Sequence, residues 1–214
     1  MADKSNIWLI KVLPKKLPAG KDKVSLSLSM SNKPVLVVID AQKGFLDSSW
    51  GNSNNPQCES NIKTLLTMWR ESDHPIVLVR HDSLSANSPL RAGQEGNEFQ
   101  DGVGGKHDLL ITKSVNSAFY GTPSLDNWLK ENAYSELVIC GITTNHCCET
   151  TARMAGNMGY QVKFVLDATR TFDFTDLKGN VVKAEDVYQM TATNLNGEFA
   201  EVVMTSDINL NEPN

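Results

Sequence analysis

Val35-Leu36-Val37-Val38-Ile39-Asp40 is a run of five apolar residues that ends on a carboxylate. A strand with one wet face alternates apolar and polar residues. A strand covered on both faces has no such need and reads as an unbroken Val/Ile/Leu run. The stretch therefore predicts a strand inside a parallel sheet. Outward from it the chain alternates. Residues 57–70 carry Ile62, Leu65, Leu66 and Trp69 at helical spacing, and Ile76-Val77-Leu78-Val79 and Leu109-Leu110-Ile111 read as the second and third strands. Residues 123–132 read as a helix with Thr122 as N-cap and Pro123 in its first position. Glu136 to Gly141 is a fourth strand, 145–157 a helix, Val162 to Leu166 a fifth strand, 183–196 a helix, and 201–204 a last short strand. This alternation predicts an α/β fold with a mostly parallel six-stranded sheet covered on both faces. In such sheets ligands bind beyond the carboxyl ends of the strands.

The chain has 214 residues, which suits one domain, and at 40% hydrophobic content it can build a core. A net charge of -5 and a pI near 5.4 argue against a nucleic-acid partner. Cys58, Cys140, Cys147 and Cys148 are too few for a disulfide framework and point to a reducing compartment. No apolar run reaches the ~18 residues of a membrane span. The expected location is cytoplasmic. Residues 1–29 differ in composition: Lys4, Lys11, Lys15, Lys16, Lys21 and Lys23 face only Asp3 and Asp22. Ile7-Trp8-Leu9-Ile10 is too short for a signal-peptide core, and the segment lacks the arginines of a transit peptide. It reads either as a dispensable extension or as an arm packed on a neighbouring subunit. The domain proper is expected over 30–214. Segment 82–105 is long and polar, with five glycines, and a loop of that length is often functional.

Three strand ends carry reactive groups. Asp40 follows the first strand, where a carboxylate is partly desolvated; such an aspartate also serves as an N-cap or loop anchor. Lys113 follows the third strand, where burial demands a negative partner; a surface lysine at a strand exit is the plainer reading. After the fourth strand, Gly141-Ile142-Thr143-Thr144-Asn145-His146-Cys147-Cys148 puts a cysteine in the first turn of a helix. Unpaired N–H groups and the helix dipole there favour a thiolate. Cys148, about 100° around the helix, suits an inert buried role. A thiol nucleophile needs a base, which Asp40 can be if its pKa is raised, and a cation between them steadies both.

These residues resemble the isochorismatase-like (cysteine hydrolase) superfamily. The matching stretches are Pro34 to Phe45, Lys113 to Thr122, Gly141 to Cys147, Gly159-Tyr160 and Asp167-Ala168, in family order. The resemblance implies a three-layer α/β/α sandwich. It implies Asp40 as general base and then acid, Lys113 as the electrostatic member and Cys147 as nucleophile. It also implies a cis peptide between Ile142 and Thr143 that turns the Thr143 N–H, with that of Cys147, into an oxyanion hole. True isochorismatases of the superfamily lack the cysteine, so its presence favours acyl-enzyme chemistry on a non-peptide C–N bond. Nicotinamidases carry an Asp-x-His…His metal site after the second strand. This chain has Arg80-His81-Asp82 there instead, with His107 as the remaining histidine that could approach. No catalytic metal and no cofactor are expected. His146, Cys147 and Cys148 are consecutive and cannot all face one zinc ion.

Phe45, Trp50 and Phe119 are expected to wall an acyl pocket, with His81, Asn145 and His146 as polar substrate contacts; ordinary core packing is the alternative for the aromatics. The expected partner is a small amide-type substrate, and the resemblance implies a homo-oligomer, a dimer or tetramer. Two other readings stay open: a non-catalytic scaffold that keeps the fold, and a redox sensor pairing Cys147 with Cys140 or Cys148.

Overall fold

The structure, a computed structural model, describes residues 33–210. The expectation for residues 1–29 lies outside the described residues. In chain order the main elements are β1 (Val35–Ile39), α1 (Cys58–Glu71), β2 (Ile76–His81), β3 (Leu109–Lys113), α2 (Leu125–Glu131) and β4 (Glu136–Ile142). They continue with α3 (Glu149–Asn157), β5 (Gln161–Arg170), β6 (Phe174–Thr175), β7 (Val181–Val182), α4 (Ala184–Leu195) and β8 (Glu201–Val203).

All five residues of β1 are fully buried. The strand pairs in parallel on both sides, with Val37 opposite Val77 of β2 and Ile139 of β4. The sheet runs β3-β2-β1-β4-β5-β8 and every pairing in it is parallel. Alternate β1 side chains divide between two cores. Val35, Val37 and Ile39 meet Leu125 and Leu129 of α2, Ala152 and Ala155 of α3, and Leu195 of α4. Leu36 and Val38 meet Ile62, Leu65, Leu66 and Trp69 of α1. Each fully buried aliphatic side chain contributes about 1.5–3 kcal/mol, which is why the strand tolerates no polar residue until its end. The result is the three-layer α/β/α sandwich. The chain leaves β1 toward β2 on one side and later returns to place β4 on the other. That reversal makes the crevice above β1 and β4 the natural ligand site.

Strand ends run further than their apolar runs. β2 reaches His81, β3 reaches Lys113 and β5 reaches Arg170. Ladder pairing continues there because a parallel neighbour still offers backbone partners, and it sets His81 directly opposite Lys113. Two helix starts differ from expectation. Thr122 does not cap α2; it exchanges backbone hydrogen bonds with Thr112 at 2.8 and 2.9 Å. The peptide before Pro123 is cis, and the Ser124 side chain caps the helix by accepting from Asn127 N. The expected helix 145–157 is a wide π turn, Thr144–Cys148, that runs into α3. The β6–β7 hairpin, two residues per strand, is too short to carry a periodic signal.

Segment 82–105 is irregular apart from one short turn at Glu95–Asn97, yet it is tied down. The Gln42 side chain donates to the carbonyls of Asn97 and His81 at 2.9 and 3.0 Å. Gln100 N–H donates to Ala41 O at 3.0 Å, and Lys43 N–H to Glu98 O at 2.8 Å.

Candidate active site

Asp40 takes the first position after β1 with φ +49°. This left-handed turn swings the carboxylate out of the sheet while its N–H still donates to Val79 O at 2.9 Å. The residue is fully buried. From the end of β3, Lys113 Nζ donates to Asp40 Oδ2 at 2.5 Å, and both side chains are wholly inaccessible. The other carboxylate oxygen, Oδ1, is buried without a hydrogen-bond partner among the described residues. Nζ also lies 3.3 Å from His81 Nδ1.

Cys147 arrives from the far side of β1. Gly141 makes that approach possible: its φ is +132°, and a Cβ there would lie 1.9 Å from Ile39 O. The Ile142–Thr143 peptide is cis, and the π turn follows at once. Thr144 Oγ1 donates to Thr169 Oγ1 at 2.9 Å, anchoring the turn to β5. Thr151, one turn beyond the cysteine, donates to Cys147 O at 2.7 Å and accepts from Ala118 N at 3.1 Å. The Asp40 carboxylate, the His81 ring and the Cys147 sulfur offer atoms within 4.8 Å of one another. Such a trio has the right chemistry for a soft divalent cation. Here the Lys113 ammonium already stands against two of its members, so a cation would meet a like charge.

The protonation states follow from burial. Burial pushes the Asp40 carboxyl above its usual range, against the pull of Lys113. Burial alone would lower the Lys113 ammonium, but the Asp40 charge outweighs it and the net shift is upward. Burial also pushes the Cys147 thiol up, reinforced by Asp40 and opposed by Lys113. This corrects the thiolate expectation: at this turn, desolvation and a neighbouring carboxylate outweigh the helix start. That shift favours the thiol over the thiolate; the sulfur donates to Asn116 Oδ1 at 3.8 Å and also interacts with the Asp40 and Lys113 side chains.

The expected pocket residues separate. Phe45 and Trp50 pack together, with ring centres 4.9 Å apart, and both stack on Phe172. They belong to the α1-side core. Phe119 belongs to the opposite core and packs against Tyr160, the rings tilted by 30° with centres 5.9 Å apart. Phe119 thus packs into the opposite core from Phe45 and Trp50. Asn145 accepts from Thr171 Oγ1 at 2.6 Å. His146 is exposed, its ring edge on Phe174 at 5.3 Å. His107 precedes β3 and is spent on Gly105 O at 2.6 Å. It lies at the opposite end of that five-residue strand from Lys113. Sequence reasoning missed Asn116, Thr151, Phe172, and the Gln42 and Asn97 carboxamides. Gln42 and Asn116 lie inside the matching stretches, so position relative to Asp40 and Lys113 was their only signal.

Comparison with known proteins follows the same outline. A family model for the isochorismatase domain matches residues 34–207. The isochorismatase family protein YrdC of Bacillus subtilis is 35% identical over 180 residues, covering 84% of this chain and 96% of its own. Nicotinamidase 3 of Arabidopsis thaliana is 30% identical over 183 residues, covering 78% of this chain and 83% of its own. The crystal structure of an isochorismatase-family protein from Chromobacterium violaceum has a TM-score of 0.79 at 39% identity, covering 89% of this chain and 96% of that one. A matched span that starts just before β1 and ends beyond β8, over a parallel sheet with its reactive groups at the switch point, means that this chain belongs to the isochorismatase family.

Proposed function

We propose that the protein hydrolyses a non-peptide C–N bond of a small amide, ureide or lactam through a Cys147 acyl-enzyme. One observation carries this reading: a wholly buried carboxylate, Asp40, bonded to Lys113 through Oδ2 and lying within 4.8 Å of the Cys147 sulfur. Asp40 takes the thiol proton as Cys147 Sγ attacks the carbonyl carbon. The Thr143 and Cys147 N–H groups hold the resulting oxyanion; losing one such donor typically costs about 3–4 kcal/mol. Protonated Asp40 then gives its proton to the departing nitrogen. Water attacks the thioester with Asp40 again as base, releasing the acid and restoring the thiol. Lys113 keeps its charge throughout and steadies both the carboxylate and the developing thiolate.

The nicotinamidase name of one relative supports the class of bond and leaves the substrate open. We assign Phe45 and Trp50, now with Phe172, to the apolar wall, and Phe119, Asn145 and His146 to the substrate mouth. Among the described residues no helix is long and apolar enough to cross a membrane. A cytoplasmic location and a homo-oligomer complete the proposal. Exposed Leu177, Val181 and Met190 supply apolar surface for assembly.

Ammonia release across small amides, carbamoyl compounds and lactams tests it. The wild type should turn over at least one, and Cys147→Ser should not while keeping its fold. Trapping the reaction should leave the acyl mass on the Cys147 peptide. Full activity in Cys147→Ser would refute the mechanism.

A further inference from the structure

The proposed chemistry uses three side chains, and a fourth touches one of them without a task. Lys113 Nζ gives one proton to Asp40 Oδ2, and a second faces His81 Nδ1 at 3.3 Å. An ammonium has no lone pair, so that contact exists only while Nδ1 is unprotonated. The imidazole is not a loose neighbour. Parallel register sets His81 opposite Lys113, and its side chain is 17% exposed. Its backbone is held from both sides. The N–H donates to Gln42 Oε1 at 2.8 Å, and the carbonyl accepts from Gln42 Nε2 and Asn97 Nδ2, each at 3.0 Å. Gln42 is fully buried and Asn97 nearly so. Two buried carboxamides thus fix the main chain of one residue, and the ring it carries can meet Lys113 in few ways.

We propose that His81 is a positioning residue: as a neutral imidazole it accepts from Lys113 and keeps the ammonium aimed between Asp40 and Cys147, and on taking a proton it releases that hold. The proposal rests on the cysteine-hydrolase reading above and gives the site an acid switch distinct from Asp40. The charged groups facing the ring come from each packed element. They are Lys113 from β3, Asp40 beyond β1, the Cys147 sulfur from the turn after β4, and Asp82 beside it on its own chain. Asp82 is itself occupied by Arg80 Nε at 3.0 Å and Asn97 Nδ2 at 3.0 Å. Burial and the Lys113 charge hold the imidazole below its ordinary range, against Asp40 and Asp82. The uncharged, accepting form therefore prevails at neutral pH. A fall in pH through the shifted value sets two like charges face to face, and Lys113 must turn away.

Three proteins test this: the wild type, His81→Ala and His81→Asn, assayed across about pH 5 to 8 on the amide found by ammonia release. His81→Ala should lose about tenfold to a hundredfold in kcat with little change in KM, the scale of one hydrogen bond to a charged group. His81→Asn can offer its carbonyl oxygen to Lys113 but cannot gain a proton. It should recover most of kcat and hold it to about one pH unit lower than the wild type. A raised KM with unchanged kcat in His81→Ala would instead make His81 a substrate contact and overturn the proposal. So would identical acid limbs in wild type and His81→Asn. A second readout needs no turnover. Imidazole 15N shifts should place an unprotonated, hydrogen-bonded Nδ1 on His81 at neutral pH, with its protonation midpoint rising in Lys113→Met. A protonated Nδ1 at neutral pH overturns the proposal even if the fold and the nucleophile stand. Cys147→Ser activity equal to wild type would sink the hydrolase reading alone, leaving these shifts to decide the His81 contact.

Discussion

Two ion pairs lie at the carboxyl rim of the sheet, and they differ in burial and in what stands beside them. Lys113 and Asp40 meet at 2.5 Å with both side chains inaccessible. Arg170 and Glu59 meet at 2.6 Å with 9% and 19% of their side chains exposed. In the first pair the spare bonding capacity is on the acid, whose Oδ1 has no partner among the described residues. In the second it is on both partners: Arg170 Nε and Nη2 have no hydrogen-bond partner among the described residues, and neither has Glu59 Oε1, which meets Arg170 Nη1 as an ion pair. Arg170 also lies with its guanidinium 5.8 Å from the Phe172 ring and joins the end of β5 to the first turn of α1. A carboxylate oxygen can take and return a proton at working pH, whereas a guanidinium cannot. Opposed charges are common to both pairs. What marks one as the candidate site is a wholly buried carboxylate whose oxygen lies within 4.8 Å of both the Cys147 sulfur and the His81 ring.

The largest contrast should appear in activity. Lys113→Met should reduce kcat/KM on the wild-type substrate by about a thousandfold or more, as loss of a transition-state charge partner does. Glu59→Gln should stay within about tenfold, since it only perturbs the anchoring of α1. Equal losses in the two variants would mean that the two ion pairs do not differ in function. Stability should follow next. Asp40→Asn strands a wholly buried ammonium and should cost about 3–5 kcal/mol in urea unfolding. Glu59→Gln should cost about 1–2 kcal/mol, because residual exposure screens that pair. A reversed order would mean that Asp40 and Lys113 share a proton rather than an ion pair.

A smaller effect concerns the thiol. With no substrate bound, iodoacetamide should label Cys147 about tenfold more slowly than a free cysteine near neutral pH, and the rate should climb only above the ordinary thiol range. Fast labelling near pH 6 would mean that the helix start and Lys113 prevail over burial after all. The least effect is in alkaline stability. Lys113 is held above the ordinary lysine range by Asp40, so its contribution is complete below that range. It is lost as pH rises through the folded-state value. The double variant Asp40→Asn, Lys113→Met should lack that alkaline step in thermal melts.

Some of this was legible residue by residue. The unbroken run Val35–Ile39 could only be an interior parallel strand, and the alternation around it implied two covered faces. Asp40, Lys113 and Cys147 could be singled out because each ends or follows an apolar run, and parallel crossovers bring such ends to one rim. Their meeting in space is what the order β3-β2-β1-β4-β5-β8 provides. Which core each aromatic joins was not legible. Phe45 and Phe119 follow strands in the same way, yet helices on opposite faces claim them, and nothing local encodes which side of a sheet a loop turns toward.

The sequence by itself determined the sheet, its parallel sense and its buried strands, because those follow from which residues can leave water, and it singled out Asp40, Lys113 and Cys147 as groups at strand ends. Only the tertiary structure decided the state of those groups. The upward push on the Cys147 thiol, the Asp40–Lys113 ion pair and the contact between His81 and Lys113 depend on angstrom-scale distances across three strands. A pKa responds to the desolvation and charge summed over neighbours that are remote along the chain.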